Sequence, residues 1–179
     1  MKLFFTGLKH SGKTTFASLI AKHYNIKVED SDNLILKHIN TSIRTFYKES
    51  GKEAFMALEA KVIEEFIKEN ENNDYILSLG GGVSDNTLAM NLMHNTGAIV
   101  YLKREEKLIL NKIITTSGIP PFLDKDNVEE SFHKIFEKRD AIYDKYATIC
   151  INLIAYDELE KVKMLIVKQL EEGIFSEWK

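Results

Sequence analysis

Short apolar runs alternate along the chain with longer stretches whose apolar residues recur every three or four positions. Lys2–Thr6, Tyr75–Leu79, Ala98–Leu102 and Thr148–Ile154 are such runs, Ile26–Glu29 alternates apolar and charged residues, and each of the five predicts a strand. Helices are predicted between them. The first carries Phe16, Leu19, Ile20 and Tyr24 at helical spacing. Others span about 33–38, 52–68, 85–94, 105–115, 128–146 and 157–172. On the 52–68 helix, Phe55, Leu58, Val62, Phe66 and Ile67 share one side. The segment Ser117–Phe122 holds both prolines of the chain and cannot continue a helix.

This order predicts an α/β fold, a three-layer α/β/α sandwich around a five-stranded parallel sheet. At 179 residues the chain is expected to form one domain, with enough length to bury a core unaided. In such sheets ligands sit beyond the carboxyl ends of the strands. Three unusual stretches, residues 7–14, 30–32 and 80–82, directly follow predicted strands and should therefore converge on one crevice.

The first stretch is Gly7-Leu8-Lys9-His10-Ser11-Gly12-Lys13-Thr14, a complete G-x-x-x-x-G-K-[ST] loop between a strand and a helix. Its glycines let the backbone curl so that N–H groups face phosphate oxygens, and the following helix adds the positive end of its dipole. Lys13 is placed to reach the β- and γ-phosphates and Thr14 to ligate Mg²⁺. Gly7, Lys9, His10, Ser11, Gly12, Lys13, Thr14 and Thr15 are accordingly the expected ATP contacts, although a solvent-facing place suits His10 as well.

Asp30 and Asp32 close the second strand two residues apart. An extended segment would point both to one side. One could then serve the metal and the other an acceptor hydroxyl, whose proton it would take. A helix cap is the alternative use. Gly80-Gly81-Gly82 permits a close backbone approach to a ligand, or makes a plain turn.

Composition narrows the picture. The net charge is -3, with Lys and Glu interspersed, so no basic stripe points to nucleic acid. No apolar stretch approaches a membrane span, and the N-terminal run is too short for a signal peptide, so a cytoplasmic place is expected. The lone cysteine, Cys150, lies in an apolar run and reads as a buried small hydrophobe. The histidines 10, 23, 38, 94 and 133 show no metal-ligand spacing. Phe55, Phe66, Phe132, Phe136 and Tyr143 read mostly as core packing, and Arg139 could pair with Glu137 or Asp140 on its own helix.

Taken together, these motifs resemble the shikimate kinase family over nearly the whole chain. Gly7–Thr14 resembles its phosphate loop, and Asp30-Ser31-Asp32 its D-[ST]-D. Phe46, Gly51, Phe55 and Glu59 are similar to spaced positions in its acceptor-binding helices. Leu79–Gly82 resembles its glycine triplet, and Arg139–Tyr143 its R-x-P-L-Y stretch. The resemblance implies a P-loop fold like that of nucleoside-monophosphate kinases, with an acceptor-binding region at about 33–68 and a lid at about 116–127. It implies transfer of the ATP γ-phosphate to the 3-hydroxyl of shikimate, a step in aromatic amino-acid synthesis, usually by a monomer. Asp30 and Thr14 would serve Mg²⁺, and Lys13 and Asp32 would be catalytic. Asp32, Gly80, Gly81, Gly82 and Arg139 would meet the acceptor. Lys112 stands where the family often has an arginine beside adenine.

Two positions depart from the family. Its G-E-x-x-F-R stretch ends here in Met56 and begins Gly51-Lys52, and its lid arginine has no counterpart in Ile119–Leu123. Arg44, Lys48 and Lys52 are the candidate replacements for the first. A kinase of the same family acting on another hydroxylated acceptor, and a nucleotide-binding protein with little catalytic activity, are the alternatives.

Overall fold

A computed structural model describes residues 1–120, 123–153 and 158–173. Five strands, β1 (Lys2–Thr6), β2 (Lys27–Asp30), β3 (Tyr75–Ser78), β4 (Ala98–Arg104) and β5 (Ile149–Leu153), form one sheet in the order β2-β3-β1-β4-β5. All pairs are parallel, with Leu3 opposite Ile76 and Ala98. The helices are α1 (Lys13–Tyr24), α2 (Ser31–Leu36), α3 (Ile43–Glu69), α4 (Thr87–His94), α5 (Glu106–Ser117), α6 (Val128–Tyr146) and α7 (Leu159–Gly173).

Parallel strands covered on both faces must be apolar on both faces, and β1 shows this directly. Leu3 and Phe5 point to one side and pack with Phe16 and Ile20 of α1 and Ile166 and Leu170 of α7. Phe4 points to the other, into a cluster with Ile63 and Phe66 of α3, Met90 of α4, Ile109 of α5 and Phe132 and Tyr143 of α6. The expected three layers are present. β1 lies at the centre, so the loop after it opens in the middle of the sheet's carboxyl edge.

α3 begins nine residues before the predicted helix and contains a break at Gly51, where φ is 84° and ψ 174°. A side chain there would be strained in the left-handed region, and glycine accepts it freely. Ser42 starts the helix by accepting a hydrogen bond from the Thr45 N–H at 3.0 Å. Residues 43–50 therefore form a helical arm that leads into the longer segment after Gly51. The prolines are half outside the described residues, since Pro121 and Phe122 are not among them. Next to them, Leu123 is buried in the α3–α6 cluster.

Cys150 is half-buried rather than fully enclosed. Its Sγ lies 3.6 Å from an Asp144 carboxylate oxygen, and burial beside that charge pushes the thiol up to about 11. It stays protonated near neutral pH and is a poor nucleophile.

Candidate active site

The loop between β1 and α1 curls through positive φ at Gly7, His10 and Gly12. Lys13, the first residue of α1, is largely buried beneath this loop, and its Nζ donates to the Leu8 carbonyl at 2.8 Å. Burial lowers its pKa to about 8, and the nearby Asp30 and Asp32 offset part of that. Ser11 Oγ is buried without a partner among the described residues. His10 bonds Thr116 at the end of α5 through Nε2, at 3.2 Å. Its pKa is lowered by burial and then by Lys9, Lys112 and Lys13, so these three cations stand around the loop. Thr15 is exposed in the first turn of α1.

Asp30 and Asp32 do not share an extended segment. Asp30 is the N-cap of α2, its Oδ1 accepting the Asp32 N–H at 3.0 Å, while Asp32 belongs to the first helical turn. Capping therefore occupies only part of the Asp30 carboxylate. The cap bond uses one oxygen and leaves Oδ2 to accept from Thr14 Oγ1 at 3.0 Å. Ser78, at the end of β3, also lies 3.2 Å from Thr14 Oγ1. Thr14, Asp30 and Ser78 thus form a small cluster of hard oxygen atoms. No group of three or more His, Cys, Asp or Glu side chains gathers for a metal among the described residues. That sparse set fits Mg²⁺, which keeps waters and phosphate oxygens and takes few protein ligands.

The glycine triplet is the seam where these parts meet. A Cβ on Gly80 would stand 3.1 Å from Asp32 Oδ1. One on Gly81 would stand 2.7 Å from the Lys9 backbone nitrogen, closer than any side chain tolerates. One on Gly82 would stand 3.5 Å from Arg139 Nη2. The triplet's first N–H is already taken, donated to Ser31 Oγ at 3.0 Å. Its middle carbonyl accepts from Arg139 Nη1 at 3.3 Å and from Tyr143 Oη at 3.2 Å.

Beyond the triplet lies a cleft of about 430 Å³, lined by Lys52, Met56, Glu59, Gly82, Lys138 and Arg139 among others. Arg139 does not pair along its own helix. Its Nη2 meets Asp85 Oδ2 at 2.8 Å, and Lys138 Nζ meets Asp85 Oδ1 at 3.1 Å. Asp140 instead takes the Tyr101 hydroxyl at 2.6 Å and Lys103 at 2.8 Å. Phe55 lines the cleft and meets the Tyr47 ring edge-on, 5.5 Å between centroids, so it is not a core residue. Of the candidate replacements for the missing arginine, Lys52 lines this cleft, and Arg44 and Lys48 do not.

Sequence reading missed the partnership of Asp85, Asn86 and Lys138. Asn86 Nδ2 donates to Glu59 Oε2 at 2.9 Å and to the Met56 carbonyl at 2.8 Å, joining α3 to the start of α4. The available signal was Asn86 as a helix N-cap, three residues before Ala89. Glu59 is nearly inaccessible, and burial raises its pKa to about 7, with Asp32 and Asp85 adding to the rise. A carboxyl group raised in this way stabilises the fold fully below its unfolded value of 4.5, and the contribution is lost as pH rises through about 7. Glu59→Gln is therefore expected to melt like the wild type near pH 4.5. At pH 8 it is expected to be more stable, by up to about 3 kcal/mol. Thermal melts of both proteins across that range check this.

A phosphate-cradling loop at the sheet centre, a carboxylate-bearing strand end beside it and a neighbouring cleft with charged side chains set in a largely apolar wall belong to an α/β P-loop phosphotransferase with a hydroxyl acceptor. The shikimate kinase family model matches residues 9–170, and the chain belongs to the shikimate kinase family. A shikimate kinase of Streptococcus gordonii is 31% identical over 153 residues, covering 86% of this chain and 91% of the relative. One from Chlorobaculum parvum is 30% identical over 156 residues, covering 83% and 82%. Among solved structures, the Aquifex aeolicus shikimate kinase matches with a TM-score of 0.76 and 26% identity, over 98% of this chain and 99% of that one. The Acinetobacter baumannii enzyme in complex with shikimate shares the fold, with a TM-score of 0.80 at 22% identity, over 99% and 95% of the two chains. Among the described residues no helix is long and apolar enough to cross a membrane.

Proposed function

We propose that this protein transfers the γ-phosphoryl group of ATP to the 3-hydroxyl of shikimate, as a single-domain, monomeric cytoplasmic enzyme. The observation that supports this most is the glycine seam, which sets Asp32, the phosphate loop and Arg139 around one opening. In this reading Gly7–Thr15 cradle the ATP phosphates, and Lys112 flanks the nucleotide. Lys13 leaves the Leu8 carbonyl to offset charge on the β- and γ-phosphates. Thr14 and Asp30 hold Mg²⁺, which when bound neutralises charge on the phosphate oxygens. Asp32 accepts the proton of the attacking hydroxyl. The hydroxyl oxygen bonds to the γ-phosphorus as the bond to the β-phosphate oxygen breaks, and ADP leaves. Arg139 holds the acceptor's carboxylate, for which its planar fork is suited. Residues 33–68 form the acceptor-binding region, and the segment at 116–127 is the lid that excludes water.

The test is ADP release from Mg-ATP with and without shikimate. Shikimate-dependent release is expected. Met56 in the cleft lining favours a second reading, in which the acceptor is a hydroxylated compound without a carboxylate. That reading predicts no stimulation by shikimate but stimulation by an uncharged polyol.

A further inference from the structure

The cleft beside the glycine triplet is electrically divided. Its inner side carries the buried Glu59, with Asp32 close by across Gly80. Its other charged lining residues are Lys52, Asp85, Lys138 and Arg139. Asp85 already spans Lys138 and Arg139, one oxygen on each, so those two cations retain the net charge of one between them. Lys52 is different. Among the described residues it has neither an ion pair nor a hydrogen bond, yet it lines the same cleft from the α3 side.

The position of Lys52 follows from the helix that carries it. Gly51 breaks α3, and Lys52 opens the segment that follows. Lys52, Met56 and Glu59 are spaced by four and three residues, which puts them on one face of that segment, and all three line the cleft. A lysine side chain is long enough to reach along the one turn, about 5.4 Å, that separates Lys52 from Met56. Met56 itself brings no charge to the wall. The unpaired ammonium at the start of this face and the acid at its far end suit a ligand with an anionic group at one end and hydroxyls at the other.

Resting on the reading of this cleft as the acceptor site, we infer that Lys52 is a specificity-determining residue. Its ammonium grips the acceptor's carboxylate together with Arg139, from the opposite wall, one helical turn away from Met56. The acceptor class is a small polyhydroxylated carboxylic acid, lying with its carboxylate between Lys52 and Arg139 and its hydroxyls toward Glu59 and Asp32.

The experiment is steady-state ADP release by the full chain and by Lys52→Ala, Lys52→Arg and Lys52→Glu. Shikimate is varied at saturating Mg-ATP, and Mg-ATP at saturating shikimate. Lys52→Ala is expected to raise the KM for shikimate about tenfold, the lower end for a charge-assisted contact because Lys52 is exposed, with kcat and the KM for ATP near wild type. Lys52→Arg should recover most of the affinity, and Lys52→Glu should lose more than Lys52→Ala. The methyl ester of shikimate, which lacks the anionic charge, should be a poorer acceptor than shikimate for the wild type, and the gap should narrow in Lys52→Ala. An unchanged KM for shikimate in Lys52→Ala, an equal rise in the KM for ATP, or no recovery with arginine would each overturn the inference while leaving the proposed activity standing. A wild type with no shikimate-dependent release would overturn the proposed activity, and this inference with it.

Discussion

Lys13→Met is expected to abolish most turnover while making the ligand-free fold more stable. The first half follows from position. In the proposed mechanism Lys13, buried beneath the loop, brings positive charge to the β- and γ-phosphates, and removing one preorganised contact to developing charge typically costs about 10²–10³ in kcat. The second half follows from burial. A lysine whose folded pKa is about 8, against 10.5 when free, must carry its charge into a desolvated place at every pH below 8. That cost is present in full below pH 8 and fades as pH rises toward 10.5. At pH 7 it amounts to up to about 3 kcal/mol. Methionine fills similar space without the charge, and the Leu8 carbonyl that loses the Nζ contact keeps the Ser11 N–H at 3.2 Å. Thermal melts at pH 7 should therefore rise for the ligand-free variant, while Mg-ATP, which stabilises the wild type by mass action, should stabilise the variant less. A variant with full turnover would remove Lys13 from the chemistry.

The opposition between stability and activity at Lys13 bears on what the sequence could reveal. The loop was legible because eight consecutive residues specify its conformation almost alone. The strands were legible for a similar reason, since most are short apolar runs, and three of the five are followed directly by a glycine or an acid, Gly7, Asp30 and Gly80. The sheet order was not, because nothing local places β1 between β3 and β4. The first half of α3 escaped notice because Gly51 separates it from the apolar face that announces the second half. Helical spacing gives Phe55 the same core-like signature as Phe66. Helical spacing reports which residues share a face, and the fold decides whether that face meets a sheet or a cleft. The partners of Arg139 lay furthest from view. Glu137 and Asp140 are its neighbours in sequence, but Asp85 reaches it from 54 residues away, carried there by the turn after the glycine triplet. Side-chain pairing across elements is set by packing, and a single sequence does not display it.

Asp32→Asn is expected to lower kcat about 10²–10⁴-fold while leaving Mg-ATP binding and the Mg²⁺ dependence nearly unchanged. The substitution keeps the shape of the side chain, and the cap survives because Asp32 contributes to it through its backbone N–H. What disappears is a carboxylate whose pKa is raised by burial and by Asp30, against the opposing pull of Lys13 and Lys9. A raised pKa makes Asp32 a stronger proton acceptor than an ordinary surface aspartate, and the same shift requires the pH to be high enough to ionise it. The acid limb of kcat/KM for shikimate should accordingly lie above the usual aspartate range in the wild type. Asp30→Asn provides the contrast. Asp30 faces Thr14 rather than the glycine seam, so its loss should raise the Mg²⁺ concentration needed for half-maximal rate. If Asp32→Asn moved the Mg²⁺ dependence and spared kcat, the two aspartates would have exchanged roles. If it spared both, the proton would leave the hydroxyl by another route, and Glu59, the remaining acid near Gly80, would be the next residue to replace.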